Sequence, residues 1–242
     1  MSGMQASASS RLALAADLPL QDATALYAKV SAHVGVAKVG LSLFVEHGPR
    51  AVEAFLSLGA RVFLDLKLHD IPNTVEGAAR AAGALGVSFL TVHASGGEAM
   101  LKAALAGARD GAAKRGHAAP RILAVTVLTS LSDAELSAVG YRDGAEASVL
   151  RLAELCVKAG VDGLVCSPRE AQGLRARLGP DVFLCTPGIR PAGSAAGDQA
   201  RAETPTFAAK AGANLLVVGR PIYASADPVT SAREIAAEVS AA

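Results

Sequence analysis

Eight short apolar runs separated by amphipathic segments constrain the fold of this 242-residue chain more than any other feature. The runs occupy residues 12–17, 36–40, 61–68, 89–94, 122–128, 163–167, 182–186 and 215–219. Each is too short and too continuously apolar for a strand with one face in water, so the pattern is typical of strands buried on both faces of a parallel sheet. Segments of helical periodicity lie between the runs, for example at 23–33, 49–58, 74–85 and 147–159. Several of these end in glycine, as helices do: Gly59, Gly86, Gly160 and Gly212.

Eight strands that alternate with helices match the count of a (β/α)₈ TIM barrel. A doubly wound open sheet is the alternative, but it usually has fewer strands, and no GxGxxG follows the first run. The length suits one domain. We therefore predict a single α/β barrel domain over residues 11–242, after a disordered lead-in at 1–10.

Charge and cysteine content limit the class of protein. Lys and Arg number 23 against 22 Asp and Glu, a formal net charge of +1, and this balance argues against nucleic-acid or membrane partners. No apolar stretch approaches the roughly 18 residues of a membrane span, and the first ten residues lack the features of a secretory signal. The three cysteines, Cys156, Cys166 and Cys185, are expected to be reduced and buried. These features predict a soluble, cytoplasmic protein.

Polar residues end or follow the predicted strands, where the catalytic groups of such barrels gather. They are Asp17, Lys38, Asp65, Lys67, His93, Thr126, Thr129, Ser167, Arg190 and Arg220. Asp65 and Lys67 share a strand face, and Asp70 follows in the loop, which gives an Asp-x-Lys-x-x-Asp pattern. An array of both charges at one barrel mouth indicates chemistry more than support, because buried charges stabilise poorly. The alternative is an ion-pair network that closes the mouth.

Glycine and arginine after the last two strands indicate a phosphate site. Gly219 lets the backbone approach an anion, and Arg220 supplies a forked donor. Arg190, after the seventh strand, adds a second guanidinium at the position where many barrels bind phosphate. Either arginine alone is equally well a surface residue. The long Gly/Ala/Ser stretch at 191–201 is expected to be a lid that places Gln199 on the ligand, and a linker without a role is the alternative.

The run at 65–74, DLKLHDIPNT, closely resembles the signature of the bacterial orotidine 5′-phosphate decarboxylase family. The resemblance extends over nearly the whole chain in the family's order, through Asp17, Lys38, 128–130, 187–190, Gln199, Gly219 and Arg220. Asp-x-Lys-x-x-Asp alone is a weak signal that related sugar-phosphate enzymes share. The ten-residue run together with the downstream set is specific, and none of these positions departs from the family pattern.

The resemblance implies conversion of orotidine monophosphate to uridine monophosphate in pyrimidine synthesis, without cofactor or metal. It also implies a homodimer whose sites lie at the interface, with Asp70 and Thr74 entering the neighbouring subunit's site. The implied charged tetrad comprises Lys38, Asp65, Lys67 and Asp70 of the partner subunit. The implied substrate contacts are Asp17 and Lys38 for the ribose, Thr129 or Ser130 for the pyrimidine, and Arg190, Gln199, Gly219 and Arg220 for the phosphate.

The reaction explains why such residues are needed. Loss of CO₂ from C6 leaves an sp² carbanion that the ring π system cannot delocalise. An ammonium at C6 stabilises this charge and then delivers a proton, and Lys67 is the candidate, kept protonated by its carboxylate neighbours. His69 and His93 have no required role in this scheme. Two alternatives stay open: a Mg²⁺-dependent sugar-phosphate decarboxylase or aldolase of hexulose-phosphate synthase type, and a non-catalytic nucleotide-binding barrel.

Overall fold

The computed structural model describes residues 8–191 and 203–242. Eight parallel strands close into a barrel in chain order, and the last strand pairs with the first. The strands are β1 Leu12–Ala15, β2 Val36–Gly40, β3 Arg61–Leu68, β4 Phe89–His93, β5 Arg121–Val125, β6 Gly163–Val165, β7 Phe183–Thr186 and β8 Leu215–Val218. Each strand end lies within three residues of its predicted position, which confirms the (β/α)₈ prediction.

Helices follow the strands and surround the barrel. They are α1 Leu20–Val30, α2 Leu41–His47, α3 Pro49–Leu56, α4 Pro72–Ala84, α5 Gly97–Arg115, α6 Asp133–Ala138, α7 Ala145–Ala159, α8 Pro168–Leu178, α9 Pro205–Lys210, α10 Arg220–Tyr223 and α11 Pro228–Ser240. The four glycines predicted to end helices have φ between +75° and +93°, the left-handed region that glycine adopts without a Cβ clash. Glycine therefore terminates these helices as predicted.

The barrel interior is a packed core. It is filled by Ala13, Ala15, Val36, Phe63, Phe89, Leu123, Val125, Val165, Cys185, Leu215 and Val217. The Arg61 and Arg121 guanidiniums lie 5.0 and 4.8 Å from the ring centres of Phe89 and Phe183, at the end where the strands begin. The inside of the barrel therefore leaves room for a ligand only at its two ends. The three cysteines are free and buried, as predicted.

Close packing of α4 against α5 fixes the helix that carries Thr74. A Cβ on Gly107 or Gly111 would lie 2.2 or 1.9 Å from a backbone oxygen of α4, so the two helices approach at a distance that only glycine permits. Arg80 on α4 donates to Asp110 on α5 at 2.6 Å. This contact holds α4 directly behind the loop that follows β3.

The end of the predicted lead-in contacts the barrel. Ala8–Arg11 forms a 3₁₀ helix, and the Gly35 amide donates to the Ser9 carbonyl at 2.7 Å. Arg11 also donates to the Ala213 carbonyl at 3.0 Å, so this segment is tied across the N-terminal end of the barrel. Residues 1–7 of the predicted lead-in lie outside the described residues. Within the described chain, no helix combines the length and apolarity needed to cross a membrane.

Candidate active site

Four charged side chains from three adjacent strands alternate in sign at the C-terminal mouth of the barrel. Lys67 Nζ lies 2.8 Å from both carboxylate oxygens of Asp65 on β3. Lys38 Nζ, from β2, lies 3.9 Å from Asp65 Oδ2 and 3.4 Å from Asp17 Oδ1, just beyond β1. The Asp65 and Lys38 side chains are only 13% and 12% exposed, so solvent screens the interaction between these two charges weakly. The fold brings together the charged residues predicted from strands one to three.

The environment of Asp65 favours its ionised form. Burial alone raises the pKa of a carboxyl group, but here the charges of Lys67 and Lys38 oppose it, together with hydrogen bonds from Lys67 and Thr91. The net effect lowers the pKa of Asp65 below its ordinary value. Asp65 therefore remains an anion between two ammonium groups at neutral pH.

The strand that carries this pair is irregular at Lys67. Its φ of +50° makes Lys67 the one described residue other than glycine with positive φ. The β3–β4 register shifts between the pairs Leu64–Leu90 and Leu68–Val92. The Lys67 amide donates instead to the hydroxyl of Thr91 at 2.9 Å. Simple strand alternation predicted a shared face for Asp65 and Lys67, whereas the ion pair forms across a backbone bulge.

A cavity of about 430 Å³ opens at this mouth. Its lining includes eight predicted residues: Asp17, Lys38, Asp65, Lys67, Thr129, Arg190, Gly219 and Arg220. Apolar side chains of the barrel interior, such as Phe63, Val125 and Val217, form its floor. A larger cavity of about 910 Å³ lies at the opposite end and contains none of the predicted residues. The smaller cavity is the candidate active site, because the charged array faces it.

Two arginines meet on the side of the cavity formed by β7 and β8. Burial lowers the pKa of Arg190, and the charge of Arg220 lowers it further, so the two guanidiniums repel each other. A Cβ on Gly219 would lie 3.3 Å from the Ala15 carbonyl, which leaves little room for a larger residue. This corner has the charge and the close backbone approach that an anionic group requires.

Tyr223 also lines the cavity, although it is not among the residues predicted from the sequence. It lies three positions after Arg220 on α10, and its ring is near Gly219 and Arg190. Residues three apart on a helix share a face, so this spacing is the signal that could have revealed it.

Four predicted site residues do not line the described cavity. Asp70 is exposed, and its carboxylate accepts the Ile71 amide at 2.6 Å. Thr74, in the first turn of α4, and Ser130 are exposed as well and are absent from the cavity lining. Of the two pyrimidine candidates, Thr129 alone faces the cavity. Gln199 and residues 192–201 of the predicted lid lie outside the described residues.

The remaining strand-end polar residues, Thr126, Ser167 and His93, do not line the cavity. The Thr126 hydroxyl donates to the Val165 carbonyl at 3.2 Å, and the Ser167 amide donates to Glu170 at the start of α8. His93 packs 5.4 Å from the ring centre of His69, and burial together with the charge of His69 lowers the pKa of His93. His93 is therefore neutral at physiological pH, and neither histidine lines the cavity.

The fold and the site define a (β/α)₈-barrel protein with a charged pocket at the C-terminal ends of its strands. The chain matches the model of the "Orotidine 5'-phosphate decarboxylase / HUMPS family" over residues 10–235. It belongs to that family, which confirms the resemblance found in the sequence.

Individual relatives of known name support the same family assignment. The chain is 54% identical over 230 residues to the orotidine 5′-phosphate decarboxylase of Anaeromyxobacter sp. (strain K), across 95% of this chain and 98% of that protein. It is 53% identical over 232 residues to that of Thermobifida fusca (strain YX), across 94% and 95% of the two chains. The crystal structure of orotidine 5′-phosphate decarboxylase from Lactobacillus acidophilus superposes with a TM-score of 0.83 at 37% identity, covering 94% of this chain and 97% of that one.

Proposed function

We propose that this protein decarboxylates orotidine 5′-monophosphate to uridine 5′-monophosphate, the last step of de novo UMP synthesis. The observation that carries the proposal is one cavity lined by both a Lys–Asp array and an arginine pair, in a chain 54% identical to a named decarboxylase. The array suits the reacting ring, and the arginines suit the phosphate at the other end of a nucleotide.

Lys67 performs the chemical step in this proposal. The bond between C6 and the carboxylate breaks, CO₂ leaves, and the electron pair stays on C6 in the plane of the ring. The Lys67 ammonium stabilises that charge and transfers a proton from Nζ to C6. Because Asp65 holds Nζ at 2.8 Å through two hydrogen bonds, the cation is preorganised and little reorganisation is needed in the transition state.

The other cavity residues bind the nucleotide. The phosphate binds to Arg190, Gly219 and Arg220. An anion at this position relieves the repulsion between the two guanidiniums. The ribose hydroxyls bind to Asp17 and Lys38, whose Oδ1 and Nζ atoms lie 3.4 Å apart. The edge of the pyrimidine binds to Thr129. We assign Gln199 to the phosphate as well. Binding energy from this remote end can position the ring against Lys67.

A homodimer is the second part of the proposal, with Asp70 of the partner subunit completing the charged tetrad. Asp70 and Thr74 are exposed and do not line their own chain's cavity, which leaves them available to a neighbour. Apolar side chains near the same mouth are also exposed: Leu41 at 52%, Val45 at 81% and Ile71 at 66%. Exposed apolar side chains beside functional groups are typical of an interface between copies.

A cytoplasmic location is the third part. The three cysteines are free, and burial raises the pKa of Cys156 to about 12 and that of Cys166 and Cys185 above the ordinary thiol value. Buried, unpaired thiols in a protein of this size fit a reducing compartment.

The direct test follows the loss of orotate-type ultraviolet absorbance when the pure protein meets orotidine monophosphate in EDTA. We expect turnover without metal, loss of turnover in Lys67→Ala, and full activity in the control Lys29→Ala, an exposed lysine on α1. Absence of turnover in EDTA, with Mg²⁺-dependent activity on a sugar phosphate, would move the protein to the metal-dependent relatives. Nucleotide binding without any turnover would indicate the non-catalytic alternative.

A further inference from the structure

A buried threonine links the backbone of Lys67 to the carboxylate of Asp65. Thr91 lies on β4, is fully buried and does not line the cavity. Its Oγ1 accepts the Lys67 amide at 2.9 Å and donates to Asp65 Oδ1 at 2.9 Å. A hydroxyl has one hydrogen to donate, so the incoming amide leaves that hydrogen for the carboxylate. The hydroxyl therefore acts both as an acceptor and as a donor of hydrogen bonds.

The bulge in β3 explains why a hydroxyl is needed at this point. Between the pairs Leu64–Leu90 and Leu68–Val92, β3 has the three residues 65–67 where β4 has Thr91 alone. The Lys67 amide is displaced from the regular ladder by this mismatch, and its φ is +50°. An amide left without a partner inside a protein is costly, and strained backbone persists only where its surroundings hold it. The Thr91 side chain provides the partner.

We propose that Thr91 is a positioning residue for the decarboxylation. Its hydroxyl holds the bulge that directs Lys67 into the cavity. The same hydroxyl orients Asp65 to accept hydrogen bonds from the Lys67 ammonium. This inference rests on the proposed function of Lys67 and Asp65. Thr91 acts through these two residues, since it does not reach the cavity itself.

An electrostatic consequence accompanies the geometric one. The hydrogen bond from Thr91 is among the contacts that lower the pKa of Asp65, so its removal raises that pKa. The other titratable groups facing Asp65 are Lys67 on its own strand, Lys38 on β2, His93 on β4 and Cys185 on β7. Of these, the lysines also lower the pKa of Asp65 and persist in a Thr91 variant.

The test compares Thr91→Val, which keeps the shape and removes the hydroxyl, with Thr91→Ser, which keeps the hydroxyl. We expect kcat in Thr91→Val to fall about ten- to a hundred-fold, as for loss of a hydrogen bond to a charged group, with a much smaller change in KM. Thr91→Ser should retain kcat to within about threefold. Thr126→Val is the matched control, because Thr126 is also buried, directly after β5, but its hydroxyl donates only to a backbone carbonyl.

A measurement independent of catalysis separates this inference from the proposed function. The pKa of the Asp65 carboxyl, followed by carbon NMR in the substrate-free protein, should rise in Thr91→Val and stay unchanged in Thr91→Ser and Thr126→Val. An inactive wild type with this pKa pattern would refute the proposed function and retain the role of Thr91 in holding Asp65. An active wild type without the pKa pattern, and with equal kcat in Thr91→Val and Thr126→Val, would overturn the inference.

Two further outcomes are decisive. If Thr91→Ser loses as much kcat as Thr91→Val, retention of the hydroxyl does not preserve activity, and the inference is wrong. If Thr91→Val does not fold, Thr91→Cys replaces it, since a thiol is a weak donor and a weak acceptor. We then expect kcat well below that of Thr91→Ser, and equal values would overturn the role of the hydrogen bonds.

Discussion

Lys67 and Asp65 form a two-pronged ion pair although only one residue separates them, with Nζ 2.8 Å from each carboxylate oxygen. An ammonium has three N–H donors, and two of them are directed at Asp65. The third is left for a group in the cavity that both residues line. This geometry holds the Lys67 ammonium in a fixed position, and Asp65 sets its direction.

Replacement of Asp65 by Asn should lower kcat strongly and also change how stability depends on pH. The folded-state pKa of Asp65 is below its ordinary value, so ionised Asp65 stabilises the native state above about pH 4, the unfolded value. That contribution is lost as pH falls through the folded pKa. Urea unfolding of wild type at a series of pH values should show this loss, and Asp65→Asn should show a smaller one. Parallel curves for the two proteins would contradict the assignment.

Arg190→Gln should weaken binding of the phosphate end of the ligand specifically. A guanidinium hydrogen bond to phosphate is worth about 1.5–3 kcal/mol, so the Kd for uridine monophosphate should rise roughly ten- to a hundred-fold. Titration calorimetry with uridine monophosphate and with uridine separates phosphate binding from binding of the rest of the ligand. Because uridine lacks the phosphate, its affinity should change little in Arg190→Gln. Arg109→Gln, an exposed arginine on α5, is the control. An equal loss for both ligands would place Arg190 elsewhere in the site.

Mixing two inactive variants tests whether Asp70 acts across the dimer interface. Asp70→Asn and Lys67→Ala should each be nearly inactive alone. In a mixed dimer one site combines the intact Lys67 of one chain with the intact Asp70 of the other. An equimolar mixture that exchanges subunits freely should therefore recover about one quarter of the wild-type sites.

Subunit exchange must be demonstrated for that mixture, for example by mass measurement of tagged chains. Recovery confirms that the two residues act in one site from different chains. If exchange is complete and activity stays absent, Asp70 serves its own chain.

Ile71→Asp should weaken the proposed dimer, because it places a charge on an apolar residue that is 66% exposed beside Asp70. Light scattering across a dilution series should show a lower mass than wild type at the same concentration. The control Val157→Asp changes another exposed apolar residue, 45% exposed on α7, away from the mouth. Unchanged mass in Ile71→Asp would remove these apolar residues from the interface.

Gly111→Ala should destabilise the α4–α5 packing behind Thr74. The added Cβ would lie 1.9 Å from the Arg80 carbonyl, and overpacking of this kind costs about 1–3 kcal/mol in the free energy of unfolding. Gly173→Ala on α8 is the matched control, since its Cβ meets nothing within 4 Å and alanine is the better helix former. The urea concentration at the midpoint of unfolding should be lower than that of wild type in Gly111→Ala but not in Gly173→Ala. A midpoint unchanged by Gly111→Ala would mean that the helices can separate without loss.

The sequence by itself determined the barrel and most of its mouth. Apolar runs bounded by glycine located the strands, because strands buried on both faces need continuous apolar residues and helices end readily at glycine. Asp17, Lys38, Asp65 and Lys67 were placed correctly, because the C-terminal ends of parallel strands meet at one end of any closed barrel.

Tertiary structure alone decided how these residues are held. Thr91 reads as an ordinary core residue of a β-strand, and its bonds to Asp65 and Lys67 span 26 and 24 positions of the chain. The bulge that gives Lys67 its positive φ depends on the register between β3 and β4, and local periodicity does not encode that register. Tyr223 shares a helix face with Arg220, but its approach to Arg190 depends on the pairing of β7 with β8. Such contacts between distant segments arise from packing of the whole chain, so local sequence patterns do not predict them.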